Sequence, residues 1–400
     1  MNLRPLDGRW LATGVVILYA GLFWLSLRSV GLESTLQRAG VPSVGAPFSD
    51  LYVFPAAAQE LARGGNPYLS NPLDPWQRLY NYPRAWLLFM RYPFAAVPWL
   101  GLGLDLAWLT LLWLAWGRLT PGAGLLAGAV ACSPPVLLAL ERCNSDLIVF
   151  MLVAAALAGL ARGWRGAAWL GLMVAALLKL FPAVAFVTFL PASGRRAWNW
   201  LFAAAGAMLG WAFLRWDELA GIAHNTPTGG PAISYGSTVI FTIADLLHQQ
   251  STGQWADYSA HRWVGSAVAG LLALGLAAAG CRCRPSSGPP FDRALACFQG
   301  GAAIYVATFI LGSNFSYRAI FLLLCVPWLF RTEAAFPWPK VRRAAALTLT
   351  VFLWTNPQWW LPLIALREAA GWTLLGLLAC LLGATLRSIS AATAAAAEKI

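Results

Sequence analysis

The segment Phe48-Ser49-Asp50-Leu51-Tyr52 sets a carboxylate in a polar, aromatic stretch between long apolar runs. A carboxylate within hydrogen-bond reach of a hydroxyl can act as its general base. Asp50 is the sole acid between Leu36 and Gln59; Asp74 is the fallback, and Glu60 falls inside an expected helix. A structural reading stands beside the chemical one: Ser49 or Asp50 can N-cap a short helix from Leu51 to Arg63, which Gly64-Gly65 would end. Glu141-Arg142-Cys143-Asn144-Ser145-Asp146 forms a polar corner after Ser133-Pro134-Pro135. Charges at such depth pair with one another or face a functional cavity. The corner is either a cavity wall or a turn in which Glu141 pairs with Arg142 and Asp146 caps the next helix. Lys179 sits centrally in an apolar segment with no adjacent acid, a poor place for a snorkelling lysine. Gly312-Ser313-Asn314-Phe315-Ser316-Tyr317-Arg318 is a third corner, whose arginine can grip a phosphate bidentately or end a helix in water. One base and several cations together suit transfer from a phosphate-bearing lipid.

Other reactive residue types carry less. His224, His248 and His261 share the 216–262 segment with Asp217, Asp245 and Asp257, but their spacing matches no compact metal motif. A phosphate contact from one of them is the stronger expectation. Seven scattered cysteines form neither a disulfide framework nor a zinc signature, and Cys281-Arg-Cys283 is too short for a redox pair.

The elements that must position these residues are apolar. Hydrophobic residues are 59% and charged residues 11% of 400, and runs of 18 or more apolar residues recur, which predicts an all-α polytopic membrane protein in one bundle, 1–400. Spans are expected at 10–27, 101–117, 122–140, 145–161, 197–215, 263–280, 294–311, 317–330, 344–362 and 370–386. Residues 28–100 are too polar and too Pro-rich to cross, with turn signals such as Asn66-Pro67-Tyr68 and Tyr82-Pro83. Their aromatics suit a membrane interface. Between Arg162/Arg165 and Arg195/Arg196, residues 166–194 are too few to cross twice, so a re-entrant or short helical hairpin broken at Lys179-Leu180-Phe181-Pro182 is expected, with a single tilted span and a basic outer loop as the alternative.

The formal charge of +12 would suit nucleic acid, but the whole excess falls on segments that the positive-inside rule assigns to the cytosol. These include Arg9, Arg118, Arg162, Arg293, Arg331, Lys340 and Arg343, and no nucleic-acid partner is needed. The segments 28–100 and 216–262 are then outside, and 387–400 is a cytosolic tail whose Ala391–Ala397 run is expected to fray.

At this point the chain resembles the GT-C superfamily of glycosyltransferases, and within it the bacterial glycosyltransferase family 87 group, which includes polyprenyl-phosphomannose-dependent mannosyltransferases. The likeness rests on Ser49-Asp50-Leu51-Tyr52, Gly65-Asn66-Pro67-Tyr68, Tyr82-Pro83, the 141–146 corner, Leu178-Lys179-Leu180-Phe181-Pro182 and Ser313-Asn314-Phe315-Ser316-Tyr317-Arg318, in that order. It implies a bundle of about 10–12 helices in the bacterial inner membrane, with a long first outer loop and a periplasm-facing site. It further implies inverting transfer of a hexose, mannose in that group, from a polyprenyl-phosphate donor to a glycolipid or glycan acceptor, without metal or other cofactor. Asp50 would be the base, and Tyr52, Tyr68, Tyr82, Glu141, Arg142, Asn144, Asp146, Lys179, Asn314, Tyr317 and Arg318 would line the substrates. The chain departs from the pattern at Arg84, where a second proline is common, at Cys143, where a glycine is usual, and in lacking the histidine motif of the mycobacterial members. Two other classes stay open: a transporter or flippase of a lipid-linked sugar, which also uses broken helices and intramembrane charge, and a non-catalytic assembly subunit.

Overall fold

The computed structural model describes residues 7–193, 196–227, 229–254, 258–282, 291–331, 338–355 and 361–397. Arg195, Asp257 and Cys283, named above, lie outside them. Among these residues the fold is all-α save one two-residue ladder. Helix α1 (Gly8–Arg38) is capped by Asp7 and kinks at Gly31, whose φ of 80° only glycine takes cheaply. A largely irregular segment follows, holding a single-turn 3₁₀ helix at Ser49–Leu51 and the short α2 (Val53–Ala62). Then come α3 (Val97–Trp116), α4 (Pro121–Ala131), α5 (Pro134–Arg142), α6 (Asp146–Ala161) and α7 (Arg165–Leu178). The 3₁₀ stretch Phe181–Thr188 leads into α8 (Phe189–Ser193), α9 (Ala197–Leu214) and α10 (Trp216–Asn225). Strand β1 (Ser234–Tyr235), α11 (Val239–Thr252), α12 (Arg262–Arg282) and α13 (Arg293–Ile310) precede β2 (Asn314–Phe315). A ten-residue 3₁₀ stretch, Ser316–Cys325, runs into α14 (Val326–Leu329), followed by α15 (Pro339–Trp354) and α16 (Leu361–Ala397).

Among the described residues, six helices are long and apolar enough to cross a membrane: α1, Phe94–Trp116, α9, α12, α13 and the Pro362–Leu386 part of α16. A seventh counts if α4 and α5 form one bent span. The apolar segments α6, α7, Phe181–Ser193 and Ser316–Leu329, which the expected ten to twelve would include, are shorter helices of 10–17 residues. The expected 122–140 span breaks by 53° at Ser133-Pro134-Pro135, since proline neither donates to the helix ladder nor fits beneath the preceding turn. The expected span 344–362 is α15, which starts earlier and stops at Trp354. The Ala391–Ala397 run does not fray within the described chain but continues α16, as expected of alanine's helix propensity. Residues 216–262 are mostly helical rather than loop.

Burial sorts the helices. Only 6% of the apolar window of α1 and 11% of that of α9 is covered by the protein, against 72% for α13, so α13 is central and the other two present apolar faces outward. Helices α1 and α4 approach closely through Gly8, Gly124 and Gly128, where any Cβ would strike the facing backbone. Helices α3 and α6 run away from the Asp50 end and α13 runs back to it. Sixteen to twenty residues at 1.5 Å each put the two ends about 24–30 Å apart.

Candidate active site

The break after α7 forms where expected. Helices α6 and α7 make a hairpin across Arg162-Gly163-Trp164, with Gly163 at φ 85°, which returns Lys179 beside Asp146 at the start of α6. Lys179 itself is extended (φ −151°, ψ 130°), and Pro182 helps begin the 3₁₀ stretch beyond it. Its missing acid is thus supplied by the fold: Lys179 Nζ donates to Asp146 Oδ1, and Arg318 Nε donates to Asp146 Oδ2 at 3.2 Å. Asp146 is fully buried. It does not cap α6; Asn144 Oδ1 accepts from the Asp146 N–H instead, at 2.9 Å. Arg318 also reaches Asn314 Oδ1 and lies over the Phe181 ring.

Asp50 belongs to the same network. Asn144 Nδ2 donates to Asp50 Oδ2 (2.6 Å) and Arg78 Nη1 to Asp50 Oδ1 (3.0 Å). Neither Ser49 nor Asp50 caps α2 or the turn before it, so the capping reading of this segment is corrected. Gly64, at φ 84°, does sit just past the end of α2. Asp50 is steered into place by Phe48, which takes the left-handed conformation (φ 57°), donates its N–H to the Glu141 carbonyl and lays its ring on Gly101. Across that contact Cys143 is also left-handed (φ 43°). The usual glycine of the resembled pattern has a physical reason there, because an L side chain in this region is strained.

Arg78 had not been anticipated. Its guanidinium forks onto Asp74 through Nε (3.1 Å) and Nη2 (2.9 Å), donates to the Ser49 carbonyl (2.8 Å) and stacks over Trp76. The signal was present as an acid–arginine pair four residues apart, Asp74 and Arg78. Asp74 also accepts from the N–H groups of Trp76 and Arg78, so its carboxylate is spent on folding the loop and the fallback base is withdrawn. Burial raises the Tyr82 phenol far above its ordinary range, and the charge of Asp50 adds to the rise, which keeps Tyr82 a neutral hydroxyl.

Asp50, Arg78, Tyr82, Arg142, His224 and Tyr317 line one cavity of about 370 Å³, with Asn81, Asn225 and Phe315. This volume falls in the ~300–1,000 Å³ range of small-molecule sites. Helix α10 forms one wall: Asn225 Nδ2 donates to the Tyr68 (2.7 Å) and Tyr80 (3.1 Å) carbonyls, and Glu218 accepts from the Arg84 N–H (2.7 Å). The ladder of β1 and β2 ties the same segment to Phe315. No protein-family model, curated protein or solved structure matches this chain.

The expected substrate residues therefore separate. Tyr82, Arg142 and Tyr317 join Asp50 in the cavity lining. Asn144, Asp146, Lys179 and Arg318 form the buried network behind it. Asn314 holds that network through Arg318 and the Thr308 and Gly312 carbonyls. Tyr52 packs between Trp76 and Phe94, and Tyr68 donates to the Tyr82 carbonyl (2.8 Å); neither lines the cavity, and both order the first loop. Glu141 is buried with neither carboxylate oxygen hydrogen-bonded, and Arg142 Nε lies 4.0 Å from it. Of the histidines, His224 alone lines the cavity, and among the described residues no three His, Cys, Asp or Glu cluster as a metal site.

Proposed function

We propose that the chain is a multi-pass glycosyltransferase of the bacterial inner membrane, transferring a hexose from a polyprenyl-phosphate donor to a glycolipid or glycan acceptor at the periplasmic end of its bundle. The observation that carries this reading is the placement of Asp50 in a cavity that also holds Arg78, Arg142 and His224. A carboxylate has four lone-pair sites. Arg78 and Asn144 take two, which leaves capacity for an acceptor hydroxyl and fixes the carboxylate's direction. As the acceptor oxygen bonds to the sugar's anomeric carbon, its proton passes to Asp50, and the carbon–oxygen bond to phosphate breaks with its electron pair leaving on polyprenyl phosphate. The configuration inverts. Arg142 and His224, rather than the paired Lys179, are the cavity groups that meet the developing phosphate charge.

The outward apolar faces of α1 and α9 support a bilayer setting from which a lipid donor enters. Purified protein in detergent, supplied with polyprenyl-phosphate hexose and a glycolipid acceptor, is expected to release polyprenyl phosphate and form a glycoside. A transporter needs two compartments and would show no transfer there. Mass spectrometry of envelope glycolipids from a deletion strain would identify the missing product.

A further inference from the structure

A second cavity, of about 570 Å³, lies at the opposite end of α3, α6 and α13 from Asp50. Four arginines, Arg118, Arg162, Arg293 and Arg331, line it against one acid, Asp292. Two of these are accounted for locally. Arg331 pairs with Asp292, and Arg162 sits at the C-terminus of α6, where the helix dipole favours a cation, and lies over Trp164. The other two are not. Among the described residues neither Arg118 nor Arg293 makes a hydrogen bond or ion pair with a side chain or carbonyl. Arg293 moreover occupies the first turn of α13, where the helix dipole disfavours positive charge. Its guanidinium lies in a notch left by Gly117, whose φ of 61° and missing side chain keep that approach open.

A bias of Lys and Arg toward one membrane face explains basic residues on loops, but does not require them to converge on one cavity. Nor does it explain the apolar part of the lining, which Trp116, Phe291 and Phe330 supply alongside the arginines. We infer that this cavity is a phosphate-binding site distinct from the Asp50 cavity and independent of the transfer reaction, with Arg118 and Arg293 as the anion's principal donors. Arginine forks match phosphate oxygens two at a time. The same chemistry is offered by an anionic lipid headgroup and by free phosphate.

The test uses the full chain purified in detergent. One arm titrates phosphatidylglycerol against phosphatidylcholine and reads bound lipid by native mass spectrometry; the other titrates inorganic phosphate against chloride at matched ionic strength by calorimetry. Arg118→Gln and Arg293→Gln are compared with Lys340→Gln, an exposed residue of α15 that does not line the cavity. The expected result is saturable binding in one arm, weakened at least tenfold by both arginine changes and unchanged by Lys340→Gln. Saturation with phosphatidylglycerol assigns a lipid headgroup, and saturation with inorganic phosphate assigns a free anion. Arg118 is exposed, so its variant reports even if Arg293→Gln fails to fold. Equal weakening by all three changes, or no saturable binding in either arm, overturns the inference.

Discussion

Asn144 donates to the Asp50 carboxylate and accepts from the Asp146 backbone N–H and from Lys179, so the two acids share one network, yet they do different work. Asp50 faces a cavity; Asp146 is sealed between Lys179 and Arg318. Removing one partner of a buried ion pair leaves the others uncompensated, at about 3–5 kcal/mol. Asp146→Asn should therefore lower unfolding stability by about that amount, measured by thermal or denaturant unfolding in detergent. A stable Asp146→Asn protein would mean that Lys179 and Arg318 are not held as described. Lys179→Gln leaves Asp146 with Arg318 and should cost less. If it instead abolished donor binding at unchanged stability, the phosphate contact would move back to Lys179. Arg78 is the positioning residue for Asp50. Arg78→Gln removes a charge-assisted hydrogen bond of about 1.5–3 kcal/mol, which corresponds to roughly a 10–100-fold fall in kcat. Arg78→Lys should not restore it, because an ammonium cannot reproduce the fork. An unaltered kcat in both variants would remove Arg78 from the site.

At the scale of elements, the strain lies where the site is built. Among the described residues Phe48 and Cys143 are two of four non-glycine residues with positive φ, and both flank the Asp50–Asn144 contact. A left-handed L residue costs roughly 1–2 kcal/mol, so Cys143→Gly should hold stability within about 1 kcal/mol despite losing a buried thiol, with strain relief offsetting lost packing. A loss several times larger in an unfolding titration would show that Cys143 is chosen for its side chain. The long 3₁₀ stretches Phe181–Thr188 and Ser316–Cys325 adjoin Lys179 and contain Arg318, and the Phe181 and Phe321 rings meet edge to face at 5.4 Å. A 3₁₀ helix rises about 2.0 Å per residue, so Ser316–Leu329 covers about 26 Å in fourteen residues. A hydropathy window reads it as a span because Ala319–Leu329 is an unbroken apolar run, whatever its helix type.

Over the whole molecule, the sequence makes plain what apolar runs and punctuation control. The all-α class, the first loop, the break at Lys179 and the gathering of Asp50 with the 141–146 corner can all be read from it. Pairings between distant elements cannot. Arg78 with Asp50, Lys179 with Asp146 and Asn225 with Tyr68 are separated by 28, 33 and 157 residues, and no local pattern carries them. Hydropathy counts apolar length and not the proline breaks that shorten helices, so among the described residues the apolar segments outnumber the helices long enough to cross. The arrangement has two ends, one with the Asp50 cavity and one with the arginines of the second cavity. In spheroplasts of a strain expressing variants without native cysteines, Ser70→Cys should react with a membrane-impermeant thiol reagent and Lys340→Cys should react only after lysis. The reverse pattern would invert the proposed orientation.

The central claim is that the carboxylate of Asp50 takes the acceptor proton. A positioned base contributes about 10²–10⁴-fold. Asparagine keeps the size of the side chain but cannot accept that proton, so purified Asp50→Asn protein should remain folded, bind the polyprenyl-phosphate donor and turn over at least ~100-fold more slowly. Turnover close to that of the unaltered protein, measured side by side with donor binding and unfolding, would contradict the account.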